Sequence, residues 1–443
     1  MRTRSALAAL AALAQRANAP REIAFLAAFR IGFGAVLFAS TLRFVAKGWV
    51  TTLLLAPRFH FTYDAAPFVR PLPAPLMWAL FGLLALAALG IALGYRYRLC
   101  AWSFFLGFTY VELLEKATYL NHYYFVSVAT ALLALLPAAN AASLDVRLGR
   151  VAPCTTVPAW VQWALRVQVG VVYFFAGVAK LNADWLLRAQ PLRIWLAARS
   201  DLPLLGAWLE EPLVAYFFSW AGALFDLSIV YWLLNRRTRP FAFAALLGFH
   251  AITGVLLPIG IFPFLMGVGA TVFLEANWPL RWLTRVAVAP TAVARSACAT
   301  PSRAVAWIVA VHTALQLAIP VRQHLSRSPW TVQGFNFAWN VMVAEKAGFA
   351  RFQARDKQSG ESFVVEPSRY LAPFQERAMA QDPSLIRQFA ALAAREIAGR
   401  EGRKVEVRAE AWATLNGRAS QLLVDPGVDL ASPRADPFVL DAP

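Results

Sequence analysis

Apolar runs of about 20 residues recur along the first 321 positions of this chain, and nothing else constrains its fold as strongly. Such a run crosses the hydrocarbon of a bilayer as a helix, because only a helix or a closed barrel satisfies its own backbone polar groups there. The runs fall at about 23–45, 76–95, 99–118, 122–143, 158–180, 212–234, 241–257, 261–277 and 304–321. The seventh and eighth are short and divided by Pro258, Gly260 and Pro263, so they read as one tight helical hairpin or as a broken helix. The sequence predicts a polytopic α-helical membrane protein with eight or nine spans, nine being the preferred count. Of its 443 residues 59% are hydrophobic and 15% charged, too little polar surface for a soluble globule.

From about residue 322 the chain becomes an ordinary soluble mixture. FARFQARDKQSGESFVVEP reads as a hairpin turning at Ser359-Gly360, and PSLIRQFAALAAREIAGREG as an amphipathic helix closing at Gly399 or Gly402. VEVRAEAWATL and ASQLLVD alternate as strands. The expected organisation is a membrane domain over 1–321 and a small α+β domain over 322–443. At the N-terminus, Arg2, Arg4 and a short apolar run resemble a signal peptide, but Pro20 after Ala17-Asn18-Ala19 argues for an uncleaved interfacial helix.

The net charge of +17 is spread over short connections between apolar runs, which is a topology pattern and not a nucleic-acid patch. With nine spans, fifteen basic residues fall on the N-terminal side of the membrane and eight in the longer connections opposite. The positive-inside rule then puts the N-terminus in the cytoplasm and the C-terminal domain outside. Cys100, Cys154 and Cys298 are far apart, form no metal or disulfide pattern by spacing, and are expected near the cytoplasmic side as free thiols.

A few polar residues interrupt the apolar pattern. Lys180 ends the fifth run in YFFAGVAKLNADW, beside Asn182, Asp184 and Trp185. A lysine there either snorkels its ammonium into the headgroups or is kept for an amine. Only a neutral amine takes a proton, and a dry aromatic setting favours that form. Asn121 and His122 open the fourth run in EKATYLNHYYF, on the same face as Lys180, where they would hydrogen-bond a developing oxyanion or serve as satisfied structural residues. His250 lies mid-span, as do Arg30, Arg166 and Asp226, which must pair or face a wet cavity; an Arg166–Asp226 brace is expected. His60 and Asp64 are candidates for the entrance, whereas His312 and His324 show no metal-site spacing.

The YFFAGVAKLNADW run is similar to the core motif of the vitamin K-dependent gamma-glutamyl carboxylases. The resemblance continues through FHFTY, VRPLPAP, LGYRYR, LNHYYF, GALFDLSIVYWLL and GFHAITGVLLPIGIFPF, and on to QGFNFAWNVMV and LLVDPGVDL. It extends to their bacterial relatives of the horizontally transferred transmembrane (HTTM) group. The resemblance implies a bacterial inner-membrane enzyme that uses reduced vitamin K (menaquinol or phylloquinol), with O2 and CO2 as co-substrates and no metal. Lys180 would deprotonate the quinol, and oxygenation would give a strongly basic alkoxide that takes a glutamate γ-proton. CO2 then adds and the quinone leaves as its epoxide. The resemblance gives Lys180, His122 and His250 catalytic parts and makes Asn121, His122 and Lys180 the quinone-binding set. Implied partners are membrane lipid and quinone and a glutamate-containing peptide or protein, with no nucleic acid.

Two departures bear on activity. The soluble part is shorter than in the animal enzymes, and Asn182 stands where their motif has aspartate. Alternatives therefore stay open: a quinol monooxygenase without protein carboxylation, or a non-enzymatic carrier or lipid-binding assembly factor that keeps the fold. A carrier should show paired broken helices in symmetric halves, and only one Pro/Gly interruption is present, near 258–263.

Overall fold

The computed structural model describes residues 11–285, 296–299, 302–322, 330 and 334–433. Arg2, Arg4, Arg295 and His324 lie outside the described residues. A two-stranded ribbon, β1 (Pro20–Glu22) antiparallel to β2 (Thr156–Pro158), ties the N-terminal segment to the entry of the fifth apolar run. The helices that follow the apolar runs are α1 (Ala24–Ala46), α2 (Ala74–Leu93), α3 (Tyr97–Leu114), α4 (Asn121–Leu135), α5 (Ala159–Ala179), α6 (Pro212–Leu234), α7 (Arg239–Leu256), α8 (Phe262–Ala270) and α9 (Arg303–Val321).

Six of these, α1, α2, α5, α6, α7 and α9, are long and apolar enough to cross a membrane. The expected eight or nine is thus six by length and composition among the described residues. Helix α3 carries Arg98 and Glu112 within 18 residues. Helix α4 stops at Leu135 because Leu136, just before Pro137, turns extended, as the steric demand of a following proline requires. Between α7 and α8 the chain reverses at Pro258–Ile261, with Gly260 at φ +59°, so the seventh and eighth runs form a hairpin of separate helices.

Helix α5 is the centre of the bundle: 72% of its apolar window is buried, against 17% for α9 at the edge. Its approach to α6 depends on Gly177, where an added Cβ would lie 2.9 Å from the Leu227 backbone nitrogen. The intramembrane arginines find main-chain carbonyl partners within the bundle. Arg30 donates to the carbonyls of Ile91 and Ala92 at the C-terminal end of α2, where a cation suits the helix dipole, and to that of Ala142. Arg166 donates to the carbonyl of Val272 at 2.9 Å, so the expected Arg166–Asp226 brace is not formed. Asp226 has another partner, described below.

The C-terminal domain is an antiparallel sheet of order β4-β3-β5-β6, with β3 (Lys346–Asp356), β4 (Ser362–Val365), β5 (Val405–Leu415) and β6 (Gln421–Leu422). Gly360 takes the left-handed turn conformation between β3 and β4. Helix α10 (Pro383–Glu401) lays Ile386, Phe389 and Ala393 on the sheet and ends at Gly402, also left-handed. Its core includes an edge-to-face pair of Phe352 and Phe389, 4.6 Å apart.

This domain docks on one end of the bundle through three loops. Lys116 meets Ser384 and Asp382, Thr62 and Gln388 exchange two hydrogen bonds, and Asp184 takes Arg418 and Asn416. His60, expected at an entrance, instead pairs with Glu115, which also accepts from Gln375; Asp64 is exposed. The three loops follow α1, α3 and α5, so the domain and the C-terminal ends of these helices share one side.

At the opposite end, Cys154 and Cys298 are joined as a disulfide, with Cα atoms 5.0 Å apart. The expected free thiols are therefore corrected for two of the three cysteines, leaving Cys100 free. The cause is strand-like pairing across 144 residues: Cys298 N–H donates to Thr156, and Thr155 N–H to Ser296. Disulfides persist in oxidising compartments, so this bond and the charge asymmetry make opposite statements about that side of the membrane. Denatured, unreduced protein is expected to show one reactive thiol and reduced protein three in a maleimide titration. Three thiols before reduction would mean that the pair is kept reduced, as a cytoplasmic site requires.

Candidate functional site

Lys180 is the C-cap of α5, where the helix emerges beneath the C-terminal domain. Its position is fixed by the close α5–α6 packing at Gly177, one turn earlier, which brings Asp226 of α6 alongside. Lys180 Nζ lies 2.7 Å from Asp226 Oδ2, and both side chains are 6% exposed. The amine also donates to the carbonyl of Ala176 at 3.1 Å and to that of Val341 at 3.4 Å, and sits 5.1 Å from the centre of the Trp185 ring. A snorkelling lysine would reach water. This one points inward.

The amine lines a cavity of about 90 Å³ between α5, α6 and α7. Its walls include Phe218, Phe249, Leu256 and Trp195, and its polar groups include Lys180, Asp226, Tyr173 and His250. His250 Nε2 is 2.7 Å from the Tyr173 hydroxyl, while its Nδ1 is buried without a partner among the described residues. The structure thus places His250, mid-span in sequence, in one cavity with Lys180. Such an apolar chamber with a few convergent polar groups has the character of a small-molecule site.

His122 begins α4 on the same side, but it does not line this cavity. Its ring lies 4.8 Å from that of Tyr123 and 6.2 Å from that of Phe262, and Phe262 in turn is 6.0 Å from His250. Phe262, a wall of the Lys180 cavity, therefore separates the two histidines. Asn121 is engaged: its Nδ2 donates to the carbonyl of Asn340 at 2.8 Å and its Oδ1 accepts from Tyr119 at 3.1 Å. Asn121 and Lys180 thus hold adjacent carbonyls, Asn340 and Val341, of one segment entering the C-terminal domain. His312 bonds Gln168 at 2.7 Å, and no metal-holding cluster occurs among the described residues.

The roof formed by 334–342 carries no site assignment in the sequence reading. Phe337, Trp339 and Met342 all adopt left-handed backbone, unusual for such side chains. The aromatic rings of Tyr119 and Tyr124 hold Phe337, and Tyr124 stacks on Trp339. Strain of this kind persists only where surrounding contacts over-determine it. The sequence signal was present in the GFNFAWN cluster of aromatic and amide residues, but without geometry it shows no function.

Residues 18–278 match the HTTM domain family, and residues 301–441 match the family described as vitamin K-dependent gamma-carboxylase, lumenal domain. No solved structure matches the chain. The two matches meet at the described site: the first contains Lys180 and Asp226, the second Asn340 and Val341.

Removing one member of a buried ion pair leaves the other charge without compensation, at a cost of about 3–5 kcal/mol. Asp226→Leu should therefore lower stability by about that amount in detergent thermal unfolding, whereas Lys180→Met with Asp226→Leu should recover much of it. A double-variant loss equal to the sum of the two single-variant losses would show that the two side chains are not coupled.

Proposed function

Because the chain belongs to the HTTM and vitamin K-dependent gamma-carboxylase family, we propose that it is a multi-pass membrane enzyme that couples oxidation of a reduced vitamin K-type quinone to carboxylation of glutamate. The observation that carries this reading is a lysine amine and its carboxylate partner, buried together on an apolar cavity under the soluble domain. The residues present fit a lipid quinol: aromatic and aliphatic walls suit its ring and tail, and the orphaned His250 Nδ1 and the Lys180 amine are polar contacts for ring oxygens. When bound, the quinol supplies the driving chemistry, its oxidation by dioxygen to the epoxide, coupled to loss of a glutamate γ-proton and addition of carbon dioxide.

The chain's own part is proton handling and exclusion of water. Lys180 Nζ takes the quinol hydroxyl proton as Asp226 Oδ2, 2.7 Å away, takes one from the ammonium. Asp226 is thus the base's partner, a role that the sequence reading assigned to structure. Tyr173 holds the His250 ring through their hydrogen bond at Nε2, which leaves Nδ1 without a partner among the described residues. The roof at Asn340–Met342 keeps bulk water from the amine, which strengthens each of these interactions. His122 and Asn121 act at the roof side, His122 by packing against Phe262, a wall of the cavity, and Asn121 by holding the roof closed.

Incubation with reduced vitamin K, oxygen, labelled bicarbonate and a glutamyl peptide tests this, with epoxide and label scored separately. Lys180→Ala should lower both about 10²–10⁴-fold, and Lys180→Arg should not rescue, because guanidinium stays protonated. His122→Ala, which removes a packing partner of the cavity wall Phe262, should raise KM at least as much as it lowers kcat. Near-normal epoxide from Lys180→Ala would remove the base assignment, and epoxide without label would leave a quinol monooxygenase.

Orientation follows from the same reading. The connections after α3 and α5 lie with the soluble domain, and the α6–α7 connection lies opposite. We place the domain outside and count α3, α4 and α8 as further crossings, nine in all, which the alternation of loops around the domain supports. Cysteines introduced at Lys116 and Arg193 should react with an impermeant maleimide from outside, and one at Arg237 only after permeabilisation. The reverse pattern would invert the protein.

A further inference from the structure

A second, larger cavity lies across the α7–α8 turn from Lys180. It measures about 380 Å³ and is enclosed by α1, α2, α3 and α4, with Phe374 of the C-terminal domain at its roof. The turn is a shared wall: Ile259 and Phe262 line the Lys180 cavity, and Ile261 lines this one. Its surface is chiefly apolar, aromatic and aliphatic together. Phe44 stacks on Phe81 with ring centres 5.1 Å apart, and Phe108 meets Tyr123 edge to face at 5.6 Å.

One acidic group faces into this chamber. Glu112 of α3 is 6% exposed, and its Oε2 accepts from Ser127 at 2.7 Å. Its Oε1 is buried with no partner among the described residues. Glu115, three residues on, shows what a structural carboxylate looks like here: it takes hydrogen bonds from Ala117 and Gln375 and pairs with His60. A carboxyl oxygen left unpaired in apolar surroundings is costly, so a group built this way is completed by a donor from outside the chain. Apart from the hydroxyls of Ser40, Thr41 and Thr118, of which Thr41 and Thr118 already bond main-chain carbonyls, the other walls are rings and aliphatic chains, which suits an apolar body better than a metal or a polar solute. The matching chemistry is a hydroxyl on a flat apolar body.

We propose that this chamber is a second binding site, a holding site for a hydroxyl-bearing aromatic lipid that donates to Glu112 Oε1. Identifying that lipid as the reduced quinone awaiting transfer to Lys180 rests on the function proposed above. The ring lies among Phe44, Phe108 and Tyr123, and the α7–α8 turn, with its left-handed Gly260, separates it from the reaction cavity.

The test uses the full chain in lipid nanodiscs under anaerobic conditions, so that nothing turns over. The probe is a naphthoquinol with a diazirine on its isoprenoid chain, cross-linked by light and mapped by mass spectrometry. Adducts are expected both around Phe218 and Phe249 and around Phe44 and Phe108. The dimethyl ether of the same probe, which has no hydroxyl to donate, should label the second cluster roughly tenfold less, as should the quinol on Glu112→Leu. Glu112→Gln keeps an acceptor oxygen and should retain the label. If Glu112→Leu does not fold, the ether on the unaltered protein decides. Equal labelling by ether and quinol, or adducts at the Lys180 cavity alone, overturns the second site and leaves the proposed function standing. Adducts at the second cluster alone sustain the site and remove the quinol from Lys180. No adduct at either overturns both.

Discussion

The buried pair of Lys180 and Asp226 is the interaction on which the rest of the arrangement depends. Two charges taken out of water lose several kcal/mol of hydration each, and their attraction offsets this only at close range with further hydrogen bonds. Both conditions are met: contact is at 2.7 Å, with the carbonyls of Ala176 and Val341 as additional acceptors and the Trp185 face beneath the ammonium. The geometry requires α5 and α6 to touch backbone to side chain, which only glycine at 177 permits. A well-packed apolar pair would serve stability as well or better. That a lysine and an aspartate stand there, at the wall of a cavity, is the strongest physical argument for chemistry over architecture.

The C-terminal domain is part of the same construction. Asp184, in the turn after Lys180, receives the guanidinium of Arg418 at 2.7 Å and the amide of Asn416 at 3.1 Å, while Trp195 donates to Glu345 at 2.6 Å. These contacts set the height of the domain above the membrane part. The 334–342 segment is then laid over Lys180 with three non-glycine residues left-handed, each costing of order 1–3 kcal/mol. That cost is met by the aromatic cage around Phe337, by the Phe337 N–H donating to Tyr119, and by Asn121 on the Asn340 carbonyl. The 334–342 segment entering the C-terminal domain therefore covers the Lys180 cavity, which Val341 and Met342 line.

Much of the fold was legible because apolar run length and turn chemistry are local. The positions of α1, α2, α5, α6, α7 and α9, the β3–β4 turn at Gly360 and the end of α10 at Gly402 all follow from residues within a few positions. What failed was partnership across distance. Asp226 was matched to Arg166 because both are intramembrane charges, but sequence does not say which face of α5 meets α6; Gly177, one turn before Lys180, was the usable signal. The Cys154–Cys298 bond spans 144 residues and depends on a strand pairing that no spacing rule sees. In the site, the prominence of Lys180 and the side it shares with Asn121 and His122 were readable. That His250, mid-helix, shares its cavity was not, since the depth of the cavity is a property of three packed helices.

The departure at Asn182 can now be weighed on physical grounds. Asn182 is the N-cap of the short helix Ala183–Arg188: its Oδ1 accepts from the Trp185 N–H at 3.0 Å, a task that aspartate performs equally well. Its Nδ2 in addition donates to the Ala179 carbonyl at 2.9 Å, the last residue of α5, which a carboxylate cannot do. Asparagine thus ties the end of α5 to the start of the next helix on both sides of the turn. That turn sets Asp184 toward Arg418 and the Trp185 ring beneath the Lys180 amine. The asparagine changes how the turn is held, by one added hydrogen bond to the end of α5, and does not itself line the Lys180 cavity.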